Sequence, residues 1–423
     1  MIVSLLAATS ARAGNEDGVL LGDDAALGAG AVTATVRGGS ALMYNPAGLG
    51  FLGQARFDAS GSAFGLRLTT LPRALRSPDY VSADASQLEF LAVPAALTIS
   101  MRLAPGLNAA VGVFVSQFVD SELTLELEAS DGTRRTRWAL GIRDVSQRYH
   151  FAGGLGWWVS EHVSVGASLA VIYERSNQSV LLSGVERLGD VVEHISYSSQ
   201  TSLRSFGFEA RVGINLRFER LALGISLRSP SLFLLNRLSS LTTVASALDG
   251  MVDADARSET SDSLGVEVLG QSRLRFGAAL KLGRWLLSLD GDVLFELTNS
   301  EAKHFAKTQG NVRFGARFAI SPRWTVGGGF FTDRSAQRET SPDFYGGVLA
   351  ARYTNRRRLG PREPQDDIYF STTLGVRYAY GRGDSPGFAV ATDITPENNF
   401  TVASNDVLVV HELSLYLGST LHF

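Results

Sequence analysis

The chain of 423 residues contains no cysteine. That excludes disulfide frameworks, Cys-ligated metal sites and lipid attachment through a thiol. Long apolar runs are missing as well: although 45% of residues are hydrophobic, no stretch approaches the roughly 18 uninterrupted apolar residues of a membrane-spanning helix. Charge is scarce, at 19% of residues against about 25% in soluble domains. The net charge of −3 offers no broad basic surface for nucleic acid. Histidines at 150, 162, 194, 304, 411 and 422 are scattered without metal-ligand spacing, and no phosphate-cradling loop is present. No metal and no cofactor are therefore expected. A Gly-x-Ser-x-Gly match at 383–387 lacks the strand-to-helix turn of a nucleophile elbow, because Pro386 follows Ser385 in what reads as a hairpin turn. No catalytic residue emerges, and the chain reads as a non-enzyme.

What is present is alternation. In HELSLYLGSTLHF, Leu413, Leu415, Leu417, Leu421 and Phe423 share one face, and Glu412, Ser414, Tyr416, Thr420 and His422 share the other. NVRFGARFAI (311–320) and SRLRFGAALKLG (272–283) repeat the pattern. A period of two marks strands with two different faces. Fourteen candidate strands follow, near 55–67, 92–104, 107–119, 145–159, 162–176, 203–217, 220–229, 270–283, 284–297, 308–320, 323–332, 367–381, 385–394 and 409–423.

Their connections fall into two alternating classes. Short turns are expected at Pro105-Gly106, Ser160-Glu161, Glu219-Arg220, Gly283-Arg284, Ser321-Pro322 and the GRGD of 381–384. Long polar loops are expected at 68–91, 120–144, 177–202, 230–269, 298–307, 333–366 and 395–408. Tight turns at one end and long loops at the other describe an up-and-down barrel in an outer membrane. Trp157, Trp158, Trp285 and Trp324 each fall beside a short turn, as an interfacial aromatic girdle requires, and Trp138 falls in a long loop. Unpaired backbone groups in hydrocarbon cost several kcal/mol each, so the last strand must close on the first. The fold expected is all-β: a 14-stranded antiparallel transmembrane β-barrel.

If the apolar face meets lipid, the other face lines a lumen. By phase, Arg148, Arg211, Arg273, Arg275, Lys281, Arg313, Arg317 and Arg377 point inward, as do Glu174, Glu209, Asp290, Asp292 and Glu296. These groups suit a ladder of paired charges. One or two of Arg148, Arg211, Arg273, Arg275, Arg313 and Arg317 are candidates to hold an anionic head group, since guanidinium binds carboxylate bidentately. The loop 230–269 is unusually apolar. Leu238, Leu241, Ala245, Leu248 and Val252 recur at helical spacing, which predicts a short amphipathic helix.

The N-terminal region divides in two. MIVSLLAATSARA (1–13) offers a short apolar run and a small-x-small site without a basic start, and reads as a residual or truncated signal peptide. Residues 14–52 are rich in glycine and alanine and end in ALMYNPAGLG. They precede a barrel of residues 53–423. Pro46 fixes a turn, and Asn45 can hold it by bonding neighbouring backbone.

The segment GDDAALGAGAVTATVRGGSALMYNPAGLG (22–50), with LGISLRSP (223–230), RFGAALKLGRWLLSLDGDV (275–293), VRFGARFAISPRWTVGGGFFTD (312–333) and the SLYLGSTLHF terminus, resembles the outer-membrane transporters of long-chain fatty acids and aromatic hydrocarbons, the FadL/toluene-transporter family. The likeness extends over essentially the whole chain after residue 13. It implies an outer-membrane barrel closed inside by an N-terminal hatch, residues 14–52, that takes up fatty acids or other hydrophobic small molecules by passive diffusion. The hatch motif would be Asn45, Pro46, Ala47 and Gly48, and the extracellular apolar groove Leu232, Phe233, Leu234, Leu235, Leu238, Leu241 and Leu248. It also implies a lateral opening beside a kinked third strand, with Gly112 as the kink position. The implied partners are a hydrophobic small-molecule ligand, outer-membrane lipid and the assembly machinery reading Phe423, and the implied state is a monomer. The alternatives on these residues are a general porin and a structural or adhesin barrel.

Overall fold

The computed structural model describes residues 18–76, 82–130, 134–188, 191–248, 251–299, 304–335, 342–356, 368–390 and 400–423. The strands are β1 (Arg56–Arg76), β2 (Ser82–Ala104), β3 (Leu107–Ser130), β4 (Arg134–Ser160), β5 (Val163–Leu188), β6 (Val191–Arg217), β7 (Leu221–Arg228), β8 (Leu232–Leu248), β9 (Met251–Val268), β10 (Arg273–Leu282), β11 (Trp285–Leu294), β12 (Leu297–Asn299), β13 (His304–Ala306), β14 (Gln309–Ala319), β15 (Trp324–Asp333), β16 (Asp343–Arg356), β17 (Tyr369–Val390) and β18 (Phe400–His422). Fourteen of them, all but β8, β9, β12 and β13, form a closed antiparallel ring. Closure joins β1 to β18, from Arg56 opposite His422 to Thr70 opposite Val409, and the Phe423 N–H donates to the Ala55 carbonyl at 3.0 Å. The first and last strands thus leave no free edge between them.

The alternation read from the sequence sets the two faces. Along β14, Val312 and Phe314 are exposed while Asn311, Arg313 and Arg317 are buried. Trp157, Trp158, Trp285 and Trp324 are all about half exposed on the outside. The rings of Trp285 and Phe318 lie 4.7 Å apart, and those of Trp324 and Tyr353 5.1 Å apart. All sit beside the end that carries the tight turns.

Several sequence expectations are corrected. Residues 343–356, read as loop, form the barrel strand β16, paired throughout with β15 and β17. Positions 367–381 and 385–394, read as two strands, belong to the single strand β17 as far as Val390; 391–394 lie outside the described residues. GRGD (381–384) is strand interior: Gly381 faces Phe344 in β16 and Val410 in β18. A Cβ on Gly381 would lie 2.6 Å from the Phe344 ring, so glycine is there to seat an aromatic ring and makes no turn. The sixth connection on the tight-turn side is instead the stretch between Arg356 and Tyr369. Segment 230–269 is no helix. It is the hairpin β8–β9, laid against the outer half of β6 from Glu193 to Phe208.

β3 to β6 run for 24 to 27 residues. At about 3.3 Å per residue and about 45° of tilt, 27 residues rise roughly 60 Å, far beyond an apolar band of about 25 Å. The excess stands outside the membrane as an extension of the same sheet, with β1 and β2 facing β3 to β5. Leu71, Ala74 and Ala85 of β1 and β2 pack there against Leu125, Leu127, Trp138, Leu140, Val180 and Leu182 of β3 to β5. Trp138, expected in a loop, is a buried core residue of this layer.

Candidate functional site

Inside the ring lies the segment 18–52, with helix α1 (Asp23–Leu27), helix α2 (Ala41–Tyr44) and a 3-10 turn (Pro46–Phe51). Most of its residues are buried, and Arg37 is exposed. Its attachments span the lumen. On one wall Arg317 of β14 donates to the Asp24 carbonyl at 2.8 Å, and Tyr416 of β18 donates to the Asp23 carboxylate at 3.1 Å. On the opposite wall Ser164 and Ser168 of β5 donate to the carbonyls of Ala47 and Leu42 at 2.8 and 2.9 Å. Between them Asp290 of β11 accepts from the N–H groups of Val32 and Thr33 at 2.9 and 2.8 Å.

The expected motif residues do more than make a local turn. Asn45 accepts from the Ala47 N–H at 3.2 Å, and its amide donates to the Thr33 carbonyl at 2.9 Å and to Asn215 Oδ1 at 2.8 Å. The backbone of Pro46 lies so close to β5 that a Cβ on Gly166 would fall 2.4 Å from the Pro46 carbonyl oxygen. Gly48 is equally close to the Val36 carbonyl, at 2.2 Å from an added Cβ. Small residues on both sides let backbone touch backbone, which accounts for the glycine in segment and wall alike.

The two acids at the start of α1 are shifted in opposite directions. For Asp23, outside the spanning strands, desolvation is the largest effect and lifts its pKa to about 6, against the opposing pull of Arg352 and the Thr373 hydroxyl. Desolvation acts on Asp24 too, but Arg317 and Arg352 together hold it below the ordinary carboxylate range. Their guanidinium groups lie 3.3 and 3.5 Å from its carboxylate.

The expected lumen charges form a ladder. Arg148 meets Glu174 at 2.8 Å, Arg211 meets Glu209, and Arg273 and Arg313 share Asp292. Arg377 meets Glu412 at 3.1 Å. Lys281 keeps the inward phase of Arg273 and Arg275 but sits exposed at the tight-turn end, and Glu296 lies exposed beyond the end of β11. Above the segment, Arg148, Arg211, Arg273 and Arg275 converge on one cavity with Tyr44, Met43, Leu21 and Val19. Arg275 lies 5.1 Å over the Tyr44 ring. Arg313 and Arg317 are not among its lining residues. The cavity encloses about 50 Å³, room for a compact polar head with a few waters and not for an alkyl chain.

Sequence reasoning missed Arg228, His150, Ser116 and Gln117, which also line this cavity. Arg228 was legible from phase in LGISLR, where Ile225 and Leu227 face out. Ser116 was not, because it sits in a bulge: β3 slips against β4 between Val115 and Gln117. Gly112, the expected kink, pairs regularly with Ala152. The irregularity of the third strand is therefore at Ser116. There too the β2–β3 ladder ends: Ala96 opposite Phe114 is its outermost pair, and beyond it β3 pairs only with β4 among the described residues.

The expected groove residues are dispersed along β8. Phe233 is buried with Ile172 and Leu269, Leu232 is partly buried, and Leu234, Leu235, Leu238 and Leu241 are exposed. The side chain of Leu248 lies outside the described residues.

No protein-family model and no curated protein matches the sequence. Solved structures do match in shape. A FadL homologue of Pseudomonas aeruginosa aligns with a TM-score of 0.55 at 12% identity, covering 98% of this chain and 100% of that one. The fold is that of the FadL-type barrels. The Ralstonia pickettii toluene transporter TbuX aligns at 0.53 with 13% identity over 97% of this chain and 99% of its own. The Pseudomonas putida toluene transporter TodX aligns at 0.53 with 12% identity over 96% and 99%. In this FadL-type barrel, the bulge at Ser116, the end of the β2–β3 ladder and the arginine-lined cavity adjoin one another.

Proposed function

We propose that the chain is a passive outer-membrane channel for hydrophobic or amphiphilic small molecules, with fatty acids and aromatic hydrocarbons as the leading substrate classes and no chemical step. The observation that carries this reading is the pairing of an obstructed lumen with an amphipathic cavity directly above the obstruction. A solute-filtering porin needs an open aqueous path. Here the segment 18–52 is bonded to both walls, and on this reading it acts as a hatch.

The route proposed begins in the apolar layer between the extracellular strands, around Trp138, Leu125 and Leu140. Burial there is worth about 0.8 kcal/mol per methylene. The head of an amphiphile then meets Arg275, with Arg148, Arg211 and Arg273 nearby. Release is lateral, through the unladdered seam between β2 and β3 beside Ser116. The protein works as a monomer in this scheme. The likeness in fold to known hydrocarbon channels supports the scheme without choosing a substrate.

Reconstitution tests it. Purified protein in liposomes is expected to bind and pass labelled fatty acid or toluene above a protein-free control. Equal uptake in both preparations defeats the proposal.

A further inference from the structure

The other end of the barrel carries a feature that uptake from outside does not use. Beneath the segment 18–52, on the tight-turn side, a cavity of about 650 Å³ is lined by Arg37, Arg56, Arg217, Arg220, Lys281, Arg317 and Arg352, with only Asp23, Asp24 and Glu219 to oppose them. Three of these cations are occupied: Arg317 and Arg352 share Asp24, and Arg56 meets Asp58 at 3.0 Å. Arg37, Arg217, Arg220 and Lys281 form no salt bridge among the described residues.

Their placement is specific. Arg37 belongs to the N-terminal segment, Arg217 ends β6, Arg220 lies in the turn to β7, and Lys281 is near the end of β10. The Arg217 guanidinium carbon lies over the Phe51 ring, 4.1 Å from its centroid. That contact holds the guanidinium by its face, and its N–H groups can still fork onto a planar or tetrahedral oxyanion. Four cations converging on one cavity repel one another, and a single carboxylate would leave most of that charge uncompensated. A multivalent anion would not. The cavity is lined from inside the ring rather than from its lipid-facing surface, so a soluble anion reaches it more directly than a bilayer head group.

We propose that this bowl is a second binding site, for a small multivalent oxyanion of the phosphate class, which bridges Arg37 of the N-terminal segment to Arg217, Arg220 and Lys281 of the wall. A bound anion fastens the segment from below. The proposal does not depend on what passes through the barrel.

The test is calorimetric titration of the full chain in uncharged detergent with pyrophosphate at low ionic strength, where surface charge is least screened. Binding to the unaltered protein is expected, at least ~10-fold weaker after Arg217→Gln with Lys281→Gln, and unchanged after Arg275→Gln in the upper cavity. Lys281→Gln alone changes only an exposed strand end and keeps the comparison sound if the double variant does not fold. A weakened titration is expected from it too. Pyrophosphate should also slow amide exchange in residues 35–44 of the unaltered protein. No binding to the unaltered protein overturns the proposal. So does binding that survives in the bowl variants, or binding that is lost in Arg275→Gln.

Discussion

Thr33 donates both its backbone N–H and its hydroxyl to one oxygen of Asp290, at 2.8 and 2.6 Å. That oxygen also accepts from the N–H of Val32. A single wall carboxylate thus anchors the middle of the N-terminal segment. Hydrogen bonds to a charged acceptor are each worth about 1.5–3 kcal/mol. Asp290→Ala should release residues 30–36 at a cost of about 3 kcal/mol, seen as faster amide exchange there with the barrel strands unchanged. Exchange equal to the parent would show that the anchor is dispensable.

Backbone contact between segment and wall makes a steric prediction. Gly166→Val places a side chain where the Pro46 carbonyl already stands. Overpacking costs about 1–3 kcal/mol where neighbours can move, and here the neighbour is backbone. The variant should keep its barrel while the segment is displaced, giving higher single-channel conductance than the parent. Gly153→Val is the control, since an added Cβ there meets nothing closer than 3.8 Å.

The elevated pKa of Asp23, about 6, sets a pH dependence. The buried carboxyl holds its proton more tightly with the segment docked than with it free. Docking therefore gains stability as pH falls through 6, is fully favoured below the ordinary value of 3.8, and loses that contribution as pH rises back through 6. Amide exchange of residues 20–28 should slow between pH 7 and 5 after correction for intrinsic rates. Asp23→Asn should abolish the change.

Arg275 separates head-group recognition from apolar binding. It lines the upper cavity and lies over Tyr44. Arg275→Gln should weaken a fatty-acid anion by about 10-fold and leave toluene nearly unchanged, measured by equilibrium binding in detergent. Equal losses for both ligands would assign Arg275 a structural role.

How far the sequence reaches can be judged from particular strands. The alternation in 311–320 and 411–423 fixed two walls correctly, because one face there meets apolar surroundings and the other a charged lumen. Segment 343–356 was lost because Gly346 and Gly347 blur its alternation. A Cβ on Gly346 would come 2.5 Å from the Phe331 ring, so the glycine serves a neighbour across the ladder. The helical spacing of Leu238, Leu241 and Ala245 misled because β8, paired to β6 along its length, buries no single face: Leu238 and Leu241 are both exposed. The arginine ladder followed from phase. The bulge at Ser116 and the meeting of Arg275 with Tyr44 depend on register and on a segment more than two hundred residues distant, which no local pattern encodes.

The central claim is that residues 18–52 shut the barrel. Planar-bilayer conductance of the full chain and of a variant lacking residues 14–51 tests it most directly. The account predicts a small or undetectable conductance for the full chain and a sharp rise on deletion. A full chain that already conducts like an open pore, with little change on deletion, would contradict it.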